Sequence, residues 1–235
     1  MSQDPSASSG SVPNYRPVGG HAVLVELGTT IDKRIHDQVV KLDAALKAAP
    51  FPGFVEAVPA YASILVCFDP LVADHQTTEA AIAELLGAEV PETIGAMREV
   101  EVCYDADLAP DLAAVAQASG LSPEDVISAH LSGDYSVFMY GFAPGYAYLA
   151  GVPKAIQQPR KPAPVRGIAA GSVLIAGPQC LVSTLTMPTG WWIIGRSPTK
   201  ILDAASNDRP FLFDVGDAVR FRRISRAEFD ARCPA

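Results

Sequence analysis

The chain has 235 residues, 49% of them hydrophobic and 19% charged, and no apolar run reaches the ~20 residues that a membrane-spanning helix needs. Against 18 Lys and Arg stand 26 Asp and Glu, a net charge of -8. A field of that sign repels phosphate backbones and anionic bilayers, so neither nucleic acid nor a membrane surface is expected as a partner. The length allows two cores of roughly 100–150 residues each.

Residues 1–17 (MSQDPSASSGSVPNYRP) carry no basic segment followed by an apolar one, and read as a disordered tail rather than a secretory signal. After Gly19-Gly20, HAVLVELG predicts a strand covered on both sides. A helix follows, with Thr30 as N-cap and apolar residues at Ile31, Ile35, Val39, Leu42 and Leu46, until Pro50 and Pro52-Gly53 end it. FVEAVPAY and SILVCFD predict two more strands, and Thr77 to Leu86 a second helix closed by Gly87. The order β-α-β-β-α makes an open sheet with helices on one face, and assigns residues 18–95 to a first domain. MREVEVCY (Met97–Tyr104) is either its last strand or the first of the next domain, with the boundary between Glu92 and Arg98.

The second half, residues 96–235, opens with a short helix at DLAAVAQAS closed by Gly120. Another begins at Ser122-Pro123, a Ser N-cap with Pro in the first helical position, and ends near His130. From Tyr135 the runs YSVFMYGF, SVLIAG, GWWIIGR, RPFLFDV and AVRFRRI alternate with Gly and Pro turns, the grammar of a β-barrel. In the last run Val219 and Phe221 point inward and Arg220 and Arg222 outward. Cys67, Cys103, Cys180 and Cys233 form no C-x-x-C pair and have no His at ligand spacing, so no metal site is expected. Buried thiols in a reducing cytoplasm are the simplest account of them.

Phosphate loops, nucleophile elbows and H-E-x-x-H are absent. The densest local feature is Tyr140-Gly-Phe-Ala-Pro-Gly-Tyr-Ala-Tyr-Leu149, a tight turn at Pro144-Gly145 crowded by Phe142, Tyr146 and Tyr148. Pro159-Arg160-Lys161-Pro162 is a cationic tip stiffened by prolines, and Gly190-Trp191-Trp192 with Gly195-Arg196 sets a second cation near two indoles. His130, on the face of Val126, has the chemistry of a proton carrier. Spacing alone favours the structural reading of each: an aromatic turn, a solvated loop, a core Trp pair, a hydrogen-bonded helical His.

Taken together these segments resemble the allophanate hydrolase subunit 1 / KipI family, which includes the B subunit of 5-oxoprolinase and the first half of the urea carboxylase carboxyltransferase domain. The resemblance runs in order over about residues 20–225. It is carried by Pro59-Ala-Tyr61-Ala-Ser63 with Asp69-Pro70, Asp111-Leu112, His130 with Tyr135, and Gly141-Phe142-Ala-Pro144-Gly145-Tyr146-Ala-Tyr148-Leu149. It continues through Pro159-Arg160, Ala170-Gly171-Ser172-Val173, Gln179, Gly190-Trp191, Gly195-Arg196-Ser197-Pro198 and Gly216-Asp217.

The resemblance implies an α+β protein, a small α/β-sandwich N-terminal domain followed by a cyclophilin-like β-barrel domain. It implies a cytoplasmic subunit of an ATP-dependent amidohydrolase that opens a lactam or amide such as 5-oxoproline, active only with partners. Those are a homologue of subunit 2, the C-type component of 5-oxoprolinase, and, in the 5-oxoprolinase form, a third lactam-utilisation subunit. ATP with Mg would bind at a shared interface of the complex, and no biotin is attached, since no M-K-M motif is present. His130, Arg160 and Arg196 fall in matched motifs as candidate catalytic residues, the arginines as anion clamps and His130 as a proton-transfer or orienting group. Tyr135, Phe142, Pro144, Gly145, Tyr146, Gln179 and Trp191 are the candidate substrate-binding residues. A KipI-like histidine-kinase inhibitor and half of a biotin-dependent carboxyltransferase stand as alternatives. The chain departs from the family pattern at Val165, where the second P-R cation moves to Arg166, at Ser183, where an aromatic hydroxyl is lost, and at Thr189, where Gly is usual.

Overall fold

The computed structural model describes residues 12–87 and 95–233, which belong to two units, Met1–Thr93 and Ile94–Ala235. In the first unit period-2 alternation builds the sheet: β1 (Asn14–Val18), β2 (Ala22–Glu26), β3 (Phe54–Pro59) and β4 (Ser63–Phe68) pair antiparallel in the order β1-β2-β4-β3. Val23, Val25, Ile64, Val66 and Phe68 are buried together with Val39, Leu42 and Leu46 of α1 (Lys33–Ala48) and Ile82 of α2 (His75–Gly87). Along β4 the intervening residues Ser63, Leu65 and Cys67 are only half-buried, so the helices cover one face of the sheet.

Two expectations are corrected here. Residues 1–11 lie outside the described residues, but Asn14–Val18 is a strand, not a disordered tail. Tyr15 packs against the core, Asn14 Nδ2 donates to Glu26 at 2.7 Å, and Pro17 costs no ladder bond of consequence because β1 is an edge strand. The N-cap of α1 is Asp32, whose carboxylate accepts the Arg34 N–H at 2.8 Å, rather than Thr30. The expected boundary range, Glu92 to Arg98, begins within residues 88–94, which lie outside the described ones.

Met97–Tyr104 belongs to the second unit: β5 (Met97–Val102) runs parallel to β13 (Ala218–Arg223). Between them come α3 (Leu112–Ser119), α4 (Pro123–Leu131), β6 (Tyr135–Tyr140), β7 (Ala147–Ala150), β8 (Val165–Ile168), β9 (Ser172–Ala176), β10 (Gln179–Val182), β11 (Met187–Thr189) and β12 (Trp192–Arg196), and α5 (Arg226–Arg232) follows β13. Ser122 caps α4 with a reciprocal capping box to Asp125, and Gly120 ends α3 in the left-handed region, both as their residue types predict. The large sheet has the order β12-β9-β10-β7-β6-β13-β5. Its ends meet through a bridge of two backbone bonds, Cys103 N–H to Arg196 O at 2.8 Å and Arg196 N–H to Cys103 O at 2.9 Å, which nearly closes a barrel.

RPFLFDV does not form the strand expected of it; Leu202 and Phe211 make only a single bridge. Pro210 has no N–H to give, and Arg209 takes up the carbonyls of Phe211 and Leu212. The buried Asp217 carboxylate anchors this corner by accepting from Ala96 N–H (2.7 Å), Asp214 N–H (2.9 Å) and Arg98 Nε (2.7 Å).

The wall has two apolar sides. Val100, Val102, Tyr135, Val137, Leu149, Val173, Ile175, Cys180, Val182, Val219 and Phe221 fill the inside, joined by Val115, Val126 and Ile127 from α3 and α4. Leu174, Leu181 and Ile193 face outward into a second core with Tyr146 and Trp191, over which Ile168 of β8 and Met187 of β11 close a two-stranded ribbon.

Gly151 sits at φ +122, and a Cβ there would lie 2.1 Å from the Asp134 carbonyl oxygen. Gly151→Ala is therefore expected to destabilise the protein by at least roughly 1–3 kcal/mol, the cost of the backbone conformation before the clash is added. A lowered denaturant midpoint at unchanged m-value would register it.

Candidate ligand pocket on the outer face of the barrel wall

A pocket of about 130 Å³ opens on this outer core, lined by Phe142, Tyr146, Tyr148, Arg160, Leu181, Pro188, Thr189, Gly190 and Trp191. The walls are aromatic: Phe142 and Tyr146 meet edge to face at 5.6 Å, and Tyr148 and Trp191 at 5.8 Å. Arg160 supplies the charge. Its guanidinium lies 5.5 Å from the Trp191 ring centre and forms no ion pair with any described residue. Burial pushes the Tyr146 phenol up to about 12, with Tyr148 adding to the shift; Tyr148 is also raised by burial, against the opposing pull of Arg160. Both phenols are neutral at physiological pH.

The turn that carries these aromatics is held in an uncommon conformation. Phe142 is 74% exposed and has φ +71, a region that side chains seldom occupy. Gly145, at φ +73, has Thr184 and Leu202 within 3.2 Å of where a Cβ would stand, so no larger residue fits without displacement. Thr184 Oγ1 donates to the Pro144 carbonyl at 2.7 Å, fixing the turn from outside. Strain at an exposed aromatic beside a pocket is the kind of feature functional sites retain. Thr189, a departure from the family pattern, acts locally, since its hydroxyl accepts the Trp191 N–H at 3.1 Å. Ser183, another departure, is buried away from the pocket, accepting from Ser172 N–H and donating to Ala169 O, both at 2.9 Å. Val165 pairs with Thr189 on the exposed ribbon.

Of the predicted residues, the fold brings together Phe142, Tyr146, Arg160 and Trp191, with Pro144 and Gly145 shaping the turn. Gln179 shares the outward face of β10 with Leu181 but does not line the pocket. The structure places His130 and Tyr135 in the core. On β10 Cys180 points in and Leu181 out, and the His130 ring lies on the inner side. Its Nδ1 is 2.7 Å from Tyr104 Oη and its Nε2 is 3.7 Å from Cys180 Sγ. It stacks on Phe221 at 4.5 Å and Tyr135 at 5.4 Å. The wall itself separates it from Arg160. Complete burial lowers the imidazole to about 3 and raises the Cys180 thiol, so both are neutral and neither reaches a ligand in the pocket. Arg196 is likewise separated. It ends β12, five residues beyond Trp191 and so about 16 Å away along an extended strand, where its backbone closes the barrel. Arg196 does not line the pocket.

Sequence reasoning missed Leu181, Pro188 and Thr189 as pocket walls, because they come from short strands whose facing is set only when the ribbon folds over the barrel. Among the described residues no helix is long and apolar enough to cross a membrane, and no cluster of three or more His, Cys, Asp or Glu side chains could hold a metal.

Residues 13–213 match the family model described as the carboxyltransferase domain, subdomain C and D. The chain is 37% identical over 228 residues to the B subunit of 5-oxoprolinase from Bacillus subtilis (strain 168), covering 91% of this chain and 94% of that one. It is 34% identical over 205 residues to the protein of the same name from Escherichia coli O157:H7, covering 87% and 93%. The crystal structure of TTHA0988 superposes with a TM-score of 0.77 at 32% identity, covering 87% of this chain but only 40% of that longer chain.

Proposed function

Since the chain belongs to the family of carboxyltransferase domains, subdomain C and D, we propose that it is the B-type component of a 5-oxoprolinase-like complex. That complex opens a lactam or amide with ATP, and the pocket of this chain holds the substrate. The observation that carries the reading is Arg160, a guanidinium with no ion pair among the described residues, above Trp191 in an aromatic pocket. A small planar molecule bearing a carboxylate, such as 5-oxoproline, suits it: the carboxylate meets the guanidinium fork and the ring lies between aromatic faces. The names of the curated relatives support the same reaction.

An unstrained amide is a poor electrophile until its oxygen is phosphorylated, and phosphoryl transfer needs clustered cations and a metal. This pocket supplies one cation and no carboxylate among its lining residues. On that ground we assign ATP to a partner subunit or to the interface with it. The work of this chain is to bind and orient the lactam and to keep it against apolar walls.

The test is substrate-dependent ATP hydrolysis by this chain combined with its partner subunits, across 5-oxoproline, allophanate and related amides. Turnover is expected with at least one lactam or amide and none with the chain alone. A purified complex inert to the whole panel sinks the proposal.

A further inference from the structure

We propose that Lys161 and Asp111 are a positioning pair that aims Arg160 into the pocket; this rests on the reading of that pocket as a carboxylate site. Among the described residues Arg160 itself makes no hydrogen bond that would fix it, yet both its neighbours are pinned. Trp192 Nε1 donates to the Pro159 carbonyl at 2.7 Å, and Lys161 N–H donates to the Gly190 carbonyl at 2.8 Å. Lys161 Nζ lies 2.5 Å from Asp111 Oδ2 and 5.3 Å from the Trp192 ring centre. Lys161 therefore sits on one indole of the Trp191-Trp192 pair and Arg160 on the other, and holding residues 159 and 161 sets the direction in which residue 160 leaves the chain.

Asp111 is the hub. The same Oδ2 accepts the Ile193 N–H at 2.7 Å, so one carboxylate ties the arm carrying Arg160 to the strand that continues from Trp191. Asp111 stands at the N-cap of α3 but makes no side-chain cap bond there; its side chain is committed to the loop instead. The side chains of Lys161 and Asp111 are 12% and 18% exposed, which limits the screening of their attraction. The pair also divides the two cations by role: Lys161 is neutralised, and Arg160 is left to meet an anion.

The test uses the full chain in solution and the Nε–Hε resonance of Arg160 by NMR, assigned by its disappearance in Arg160→Lys. In the parent, the Trp191 ring is expected to displace that resonance from the free-arginine position. Lys161→Met and Asp111→Asn are expected to return it towards that position, while Lys161→Arg, which keeps a cation for Asp111, preserves it. Asp111→Asn retains an oxygen for Ile193 N–H, so the test survives if Lys161→Met folds poorly. In a parallel titration with 5-oxoproline, Lys161→Met should weaken binding about tenfold, the scale of one misdirected charged hydrogen bond. An Arg160 resonance unmoved in folded Lys161→Met and Asp111→Asn overturns the proposal. A parent that fails to bind 5-oxoproline counts against the pocket reading instead, because the resonance reports positioning with no ligand present.

Discussion

In the assembled complex, Arg160→Lys is expected to lower kcat/KM by roughly 10- to 150-fold, or about 1.5–3 kcal/mol of transition-state stabilisation, with little change in melting temperature. Lysine keeps the charge and most of the apolar stem, but it offers a point charge where a planar fork could hold both oxygens of a carboxylate. It also stacks less well on Trp191, over which the guanidinium now lies at 5.5 Å. Arg160 is exposed and carries no ion pair among the described residues, so no buried partner is orphaned by the change. If the ammonium holds the substrate less firmly in the ground state and the transition state alike, the loss falls on KM; if the fork matters only as charge develops, it falls on kcat. Parent-like turnover by Arg160→Lys would remove Arg160 from the binding role. Arg196→Lys serves as the contrast, since Arg196 ends β12 and is not among the residues that line the pocket, and it is expected to leave KM near the parent value.

The sequence shows how far local pattern reaches. Helices α3 and α4 were legible because their caps are side-chain chemistry: Ser122 with Asp125, Pro123 in the first turn, Gly120 beyond the last. The strands of the first sheet were legible as short apolar runs bounded by Gly and Pro, while the alternation of buried and half-buried residues along Ser63–Phe68 comes from the one-sided cover of the helices. The limits came where partners are distant in sequence. Asn14–Val18 reads as polar tail until β2 offers it a ladder, and RPFLFDV reads as strand until Arg209 and Pro210 take away the groups a ladder would use.

For the site, motif resemblance located the right segments without saying which side of the barrel wall each residue takes. Cys180 and Leu181 are neighbours, yet one touches His130 inside and the other lines the pocket outside. Strand register decides this, and register is fixed by pairing with β9 and β7 rather than by the residues themselves. His130 and Tyr135 thus occupy matched motifs as parts of the core, whereas Arg160 occupies its motif as part of the pocket. Lys161 reads only as part of a cationic tip beside Arg160, because the carboxylate that engages it lies 50 residues earlier in the chain.

The buried imidazole carries the second large expectation, an acid-labile stability traceable to His130. Each polar group that faces it, Tyr104 Oη and Cys180 Sγ, is itself held neutral by burial, and Phe221 and Tyr135 close the rest of its surroundings. No carboxylate among the described residues stands ready to offset a proton's charge there, so the folded imidazole is lowered to about 3 while the unfolded one keeps its ordinary value near 6.5. Above about pH 6.5 both states are neutral and the residue adds no pH dependence. As pH falls below that value the unfolded chain takes up a proton that the folded chain refuses, and stability drops by about 1.4 kcal/mol per pH unit until the folded group titrates near 3. Denaturation curves at pH 7, 6 and 5 sample this window above the range in which ordinary carboxylates titrate. His130→Gln can still accept a hydrogen bond from Tyr104, and it loses ring packing at every pH alike, so the level of stability falls but the slope should lose close to one proton. A variant that keeps the parent slope between pH 6.5 and 5 would show that some other group takes up the acid, and that the core imidazole is not the residue that sets the acid limit of this fold.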